Sequence, residues 1–421
     1  MFSHFKSSLL FGLCAAVSLT AMRPAIAAET HSPSQKPLKK TTAPAKDRLL
    51  LSIDGGGMFG IIPAIMLKQV AQCVGTVEKQ DPDKIQLADY FDVISGTSAG
   101  SVLTGLLVTP IDDTEKTQQD TAPNRAMSID QIIALYQTLG RKIFTQSGKN
   151  PLETYRKHGV LYPSSNLSEM SKEVFKNHTN KEALTDFAIS FYDQNAGGVF
   201  ATRNRGIYQI KEANGKAIKW ENPMEMSNLV ASSSMVPALF PFYEWSAIPA
   251  SGAQPYHFST SDGGVYQSNP TLLGITEARL NALSLEKETK IKSSDLRLHV
   301  ISLGTGQISG NAFKNSKISQ VKQPKTAQER FAFLNNLASA ERSAGNKAID
   351  LYLANDPNID YVRLNIPLPA ALAGRAEDAS PENMAAIAEA IKNALPALKP
   401  QIEQACRMIV THGKNQTSSP L

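Results

Sequence analysis

Cysteine is scarce in this chain. Three occur in 421 residues, Cys14, Cys73 and Cys406, with no C-x-x-C pair and no H-E-x-x-H stretch. The common short-range zinc and redox motifs are therefore excluded, and no structural metal site is expected. Excess charge is lacking too: the formal net charge is +5. The lysines and arginines form no stripe interleaved with aromatics, so nucleic acid is not an expected partner. The one visible basic cluster is Lys36, Lys39, Lys40 and Lys46, in a Pro/Ser/Thr/Ala-rich segment. That composition makes a solvated tether; weak attraction to anionic lipid is the sharper alternative. Internal repeats are absent, and beyond the N-terminal stretch no run reads as long and apolar enough to cross a bilayer. With 42% hydrophobic and 19% charged residues, the chain has the composition of a globular protein with a large core.

The N-terminus carries an address. Lys6 precedes the apolar stretch 8–21, and Ala25-Ile26-Ala27 offers small residues where a signal peptidase reads. Residues 1–27 are therefore expected to be a secretory signal, residues 28–46 a flexible linker, residues 47–412 one catalytic domain and residues 413–421 a flexible tail. The mature protein would be exported, secreted or periplasmic. In an oxidising compartment Cys73 and Cys406 are free to pair, although two buried thiols fit the sequence as well.

From Arg48 onward the texture is that of alternating strands and helices. Arg48–Ile53 is a short continuous apolar run, as in a strand buried on both faces. A glycine-rich loop follows, then a helical pattern over Phe59–Val74. Tyr90–Ser95 is a second apolar run, followed by a tight turn and a helix through Val102, Leu103, Leu106 and Leu107. Ser128–Phe144 reads as a capped helix, Phe187–Tyr192, Gly198–Thr202 and Leu296–Ser302 as strands, and Glu382–Leu395 as the clearest C-terminal helix. This grammar predicts an α/β fold, a central, mostly parallel sheet flanked by helices.

Two stretches after strands carry chemistry. Gly96-Thr97-Ser98-Ala99-Gly100 is G-x-S-x-G between a strand and a helix. A serine on so sharp a turn presents its hydroxyl out of the sheet, its flanking glycines admit neighbouring backbone, and the helix N-terminus adds positive potential. Gly55, Gly57 and Gly60 formally match the dinucleotide fingerprint G-x-G-x-x-G. A dinucleotide site also expects a strand ending in an acid about 20 residues later, where this chain is polar and broken by Pro82. Successive glycines suit amides turned toward a developing oxyanion instead. For a base, Asp262 in Ser261-Asp262-Gly263-Gly264 is the better acid; His299 and His412 follow it in the chain and His257 lies just before it. His299, inside an apolar run, reads as a satisfied core histidine.

Together these stretches resemble the patatin-like phospholipase family. The resemblance rests on Asp54-Gly55-Gly56-Gly57-Met58-Phe59-Gly60, Gly96-Thr97-Ser98-Ala99-Gly100, Ser233-Ser234-Met235-Val236-Pro237, Asp262-Gly263-Gly264 and Ser302-Leu303-Gly304-Thr305-Gly306, with a fainter echo at Tyr361-Val362-Arg363-Leu364. It implies a three-layer architecture and a Ser98–Asp262 dyad without histidine. It further implies an oxyanion hole from the amides of Gly55, Gly56 and Gly57, motif roles for Gly96, Gly100, Gly263 and Gly264, and no cofactor or metal. The implied substrate is a lipid ester, commonly a glycerophospholipid, at a lipid or membrane surface. Met58, Phe59, Val236, Leu239 and Phe240 are candidates for a dry lining that raises the Asp262 pKa and holds an acyl chain. One departure stands out: the family often carries Arg or Lys where this chain has Phe59. That makes a neutral lipid ester or a small ester a credible alternative substrate. A non-catalytic storage or effector protein on the same fold is the other alternative.

Overall fold

The computed structural model describes residues 46–111, 125–145, 151–204, 206–207, 218, 220–289, 292–308 and 342–413. They all fall within one compact unit, Pro44–Leu421. The expected signal, nearly all of the linker and the tail beyond Gly413 lie outside the described residues.

The leucine-rich run of Asp47–Ile53 forms β1, its last five residues buried. It lies between β2, Val93–Gly96, and β8, Arg297–Leu303, both parallel to it. β3, Asp186–Asp193, continues the parallel sheet beyond β2, and β10, Ile359–Leu364, continues it beyond β8. The antiparallel side is built from β4, Gly198–Arg203, and β5, Gly206–Ile207, with the hairpin of β6, Tyr243–Ala247, and β7, Tyr256–Ser261, attached to β3. A two-residue parallel ladder of β9, Gln307–Ile308, and β11, Pro367–Leu368, stands apart.

Side-chain alternation divides β1 between two apolar clusters, which is what a strand covered on both faces must do. Leu49, Leu51 and Ile53 face the larger cluster, which holds α1, Ile61–Glu78, α2, Ala99–Val108, α3, Ile129–Ile143, α5, Ser164–Phe175, α6, Met226–Ser234, and α9, Pro381–His412. Leu50 faces the smaller one, with Ile275, Ala278 and Ala282 of α7, Thr271–Thr289, and Leu353 of α8, residues 342–354. The short α4, Pro151–His158, precedes α5. The result is a three-layer α/β fold.

Three boundaries differ from the sequence reading, each for a physical reason. β2 begins only at Val93, because Leu87–Asp89 forms a 3-10 turn and the Asp92 carboxylate accepts the Leu49 N–H. The glycine loop ends in a 3-10 turn over Gly57–Gly60, which delays α1 to Ile61. α9 runs on to His412 through Pro396 and Pro400, which local propensity would treat as breakers. Buried Leu398, Ala405, Cys406 and Ile409 hold that second half against the core. Contrary to the sequence reading, Gly57–Glu78 is long and apolar enough to cross a membrane, but most of it is buried within the protein, as befits a core helix.

Cys73 of α1 and Cys406 of α9 are disulfide-bonded, with Cα atoms 6.0 Å apart and a separation of 333 positions in sequence. Such a link removes many states from the unfolded chain. Cys73→Ser is expected to lower unfolding stability by about 2–5 kcal/mol. Chemical denaturation with and without reductant checks this: reductant should destabilise the parent protein and leave the variant unchanged.

Candidate active site

Only Thr97 and Ser98 separate β2 from α2. Ser98 sits at φ 54° and ψ −124°, a conformation that side-chain-bearing residues avoid. Such backbone costs about 1–3 kcal/mol and persists only where surroundings over-determine it. Here they do. The Ser98 N–H donates to Ser233 Oγ at 3.1 Å, and its carbonyl accepts from Ser101 Oγ at 2.6 Å and Ser234 Oγ at 3.2 Å. Tyr136 of α3 donates its hydroxyl to the Ala99 carbonyl at 2.5 Å. Gly100 lies so close to the end of β1 that a side chain would strike the Ile53 carbonyl, and one at Gly96 would strike the Gly100 carbonyl and Thr104.

The same short segment fixes the candidate base. Met235 follows Ser234 directly, and its carbonyl accepts from the Asp262 N–H and the Ser261 hydroxyl, both at 2.9 Å. Ser233–Met235 therefore grips the backbone of Ser98 with one end and that of Asp262 with the other. Sequence reading noted this stretch only as a resemblance; a run of serines gives no sign of whose backbone it will bind. Ser233→Ala is expected to lower kcat roughly tenfold with little change in KM, the size of one lost buried hydrogen bond. Ser233→Thr, which keeps the hydroxyl, should restore most of it in steady-state ester hydrolysis.

Asp262 is 4% exposed. Burial raises its pKa to about 6, against the opposing influence of the Ser98 hydroxyl, the Gly264 amide and the Arg342 charge. Oδ1 accepts the Gly264 N–H at 2.6 Å. Oδ2 is buried and makes no aligned hydrogen bond among the described residues, although the Ser98 hydroxyl is near enough to act on the carboxylate. Catalytic hydrogen bonds are often long without substrate and tighten when it binds. Gly263 presses against Ser190, where a side chain would strike the Ser190 carbonyl.

The glycine loop starts at a buried ion pair. Arg363 of β10 donates to both carboxylate oxygens of Asp54 and to Ser302 Oγ. Two-pronged pairing of this kind fixes orientation as well as charge. The Gly55 N–H donates to the Ser268 carbonyl at 2.8 Å, and the Met58 N–H to that of Ala376 at 2.6 Å. Gly55, expected as one of three oxyanion donors, is thus engaged elsewhere. The amides of Gly56 and Gly57 have no partner among the described residues. Gly57 has φ +56° and abuts the Ala376 carbonyl, so glycine is needed there. The Ala99 N–H, at the first turn of α2, is likewise without a partner among the described residues. Ala99 was not singled out in the sequence, although the residue after a nucleophile is a recurrent donor.

Beside Ser98 opens a cleft. Its walls are almost wholly apolar, with Met58, Val102, Leu106, Leu139, Phe144 and Phe240 among them, and Gly57, Ser98, Ala99 and Ser234 at the polar end. Met58, Val236 and Phe240 line it as anticipated, whereas Phe59 and Leu239 are core residues that do not. Arg342 on α8 adds a positive charge to this region and opposes the upward push of burial on both the Asp262 and Asp54 carboxyls. Among the described residues no histidine lines the cleft. His257 bonds Ser246 Oγ at 2.6 Å, and His299 lies among carboxylates far along the strands.

The sequence is similar to that of known proteins. The profile described as patatin-like phospholipase matches residues 51–275. Patatin-07 of Solanum tuberosum is 28% identical over 354 residues, covering 82% of this chain and 83% of its own. Patatin-15 of the same plant is 32% identical over 260 residues, covering 61% and 60%. A third relative, the probable inactive patatin-3-Kuras 1 of Solanum tuberosum, is 29% identical over 353 residues, covering 82% and 86%. With a family match over more than half its length, carrying both the glycine loop and the serine elbow, this chain belongs to the patatin-like phospholipase family.

Proposed function

We propose that this protein is a serine lipid acyl hydrolase of the phospholipase A type, working through Ser98 and Asp262. The observation that carries the reading is the joining of an apolar cleft to a strained serine whose surroundings hold a buried carboxylate. Ser98 Oγ attacks the ester carbonyl carbon while Asp262 accepts its proton. The Gly56, Gly57 and Ala99 amides receive the developing oxyanion. Asp262 then gives the proton to the departing alcohol, leaving an acyl-enzyme that water hydrolyses by the reverse proton path. A pKa near 6 leaves most Asp262 ionised at neutral pH, and more basic than an ordinary carboxylate.

A fluorophosphonate probe should label the parent protein at Ser98, and phosphatidylcholine vesicles should yield fatty acid and lysophospholipid in equal amounts by mass spectrometry. An unlabelled protein would place it with the non-catalytic members. Cleavage of triacylglycerol but not phospholipid would favour a neutral-lipid esterase, the alternative suggested by Phe59. The cleft supplies a further expectation. Val102→Trp should raise KM for long-chain esters roughly tenfold or more, and for short-chain esters less, because it fills apolar space in the cleft beside Ser98. We also propose export through residues 1–27; the Cys73–Cys406 bond suits an oxidising compartment. N-terminal sequencing of the mature protein, expected to begin at Ala28, tests this.

A further inference from the structure

The N-terminal ends of the parallel strands lie at the edge of the sheet opposite Ser98, and the proposed chemistry makes no use of the cluster found there. His299, the third residue of β8, is 1% exposed. Its Nε2 lies 3.0 Å from Asp47 Oδ1 at the start of β1, and its Nδ1 lies 3.0 Å from Asp360 Oδ2 at the start of β10. His412, in the last turn of α9, stacks on it with ring centroids 3.4 Å apart and 14° between the planes. One ligand atom each from Asp47, His299 and His412 falls within 4.8 Å of the other two.

We propose that Asp47, His299 and His412 bind a divalent metal ion of the zinc type, with Asp360 orienting His299. The three side chains converge from the first strand, from β8 and from the last helix, and bring two imidazole nitrogens and a carboxylate oxygen into one small region. A carboxylate against one ring nitrogen, leaving the other for the metal, is the usual arrangement behind a ligating histidine. Asp360 stands in that place, close to Nδ1 though outside ideal hydrogen-bond alignment, and Arg297 steadies its carboxylate from 3.4 Å. Two imidazoles and one carboxylate suit zinc, nickel or copper better than calcium or magnesium. Bonds of 2.0–2.1 Å in a tetrahedral zinc site set ligand atoms roughly 3.3 Å apart. The His299–Asp47 pair is already near this; half-buried His412 must turn out of its stack on His299 to aim its in-plane lone pair at the same ion. Asp47 and Asp360 keep 39% and 44% of their side-chain surface exposed, so an ion and a completing water have access. The ligands come from three distant chain segments, which is why no short motif announces them. Such an ion would tie the last helix to the first strand and take no part in ester cleavage.

The test uses the full-length protein, stripped with chelator and then titrated with zinc chloride by calorimetry above neutral pH. One saturable site is expected, with a rise in Tm of about 3 °C or more when zinc is in roughly 100-fold excess over Kd. Asp360→Asn should weaken binding about 10–100-fold, and His412→Ala at least as much, while hydrolysis stays at the parent rate with or without chelator. Cobalt substitution should give the ligand-field spectrum of a tetrahedral site in the parent protein, a readout independent of how the variants fold. Absence of saturable zinc binding, absence of that spectrum, or unweakened binding by folded His412→Ala would overturn the proposal. The cluster would then be a histidine held between two carboxylates and nothing more.

Discussion

Ser98→Ala is expected to reduce ester hydrolysis by roughly 10⁴-fold or more, the scale of losing a nucleophile that works as part of a unit. The fold should not suffer. The contacts that hold the elbow are made by the Ser98 backbone: its N–H to Ser233, its carbonyl to Ser101 and Ser234. Alanine keeps all of them. The far-ultraviolet circular dichroism spectrum and the Tm should therefore match the parent while turnover and fluorophosphonate labelling vanish. Substantial residual turnover by the purified variant would remove Ser98 from the mechanism, whatever its backbone strain.

The second large effect concerns Asp262, and it has two opposite signs. For activity, the carboxylate must be ionised to accept a proton, so kcat/KM of the parent should fall as pH drops through about 6. Asp262→Asn should lose about 10³-fold or more and keep no such profile. For stability, the direction reverses. The folded-state pKa, about 6, lies above the ordinary carboxyl value of 3.8 because burial disfavours the charge. The stability linked to this group is therefore fully present below the unfolded pKa and lost as pH rises through about 6. A shift of this size corresponds to about 3 kcal/mol at most. Asp262→Asn, which never ionises, should thus melt higher than the parent at pH well above 6 and show no such advantage near pH 4. Thermal unfolding at the two extremes measures it. A variant that is both inactive and less stable at high pH would point to lost packing and sink the reading of Asp262 as a strained, charged base.

The site was legible where chemistry demands a local pattern. G-x-S-x-G between a strand and a helix is such a case, since a sharp turn with no room for side chains needs glycine at both flanks, and Gly96 and Gly100 meet backbone at once. The role of each amide was not legible. Gly55, Gly56 and Gly57 are identical in type, and only the nearness of Ser268 takes the first of them out of contention. Arg342 was invisible for a similar reason. Nothing in its neighbourhood marks it, and its charge matters because α8 passes the Asp54 and Asp262 carboxylates. The C-terminal helix shows the converse failure. Pro396 and Pro400 argued locally for a stop, and buried side chains from Leu398 to Ile409 overrode them.

The sequence by itself determined the alternation of strands and helices, the buried character of β1, the elbow serine, the glycine loop and the family, because each depends on residues that are neighbours in the chain. Tertiary structure alone decided that Cys73 meets Cys406, that one segment, Ser233–Met235, holds both Ser98 and Asp262, that the Gly55 amide is taken by Ser268, and that His299 and His412 stack beside Asp47. These are meetings between segments far apart in sequence. They exist only once burial of the two faces of the sheet has fixed the register of the strands and the seats of the helices.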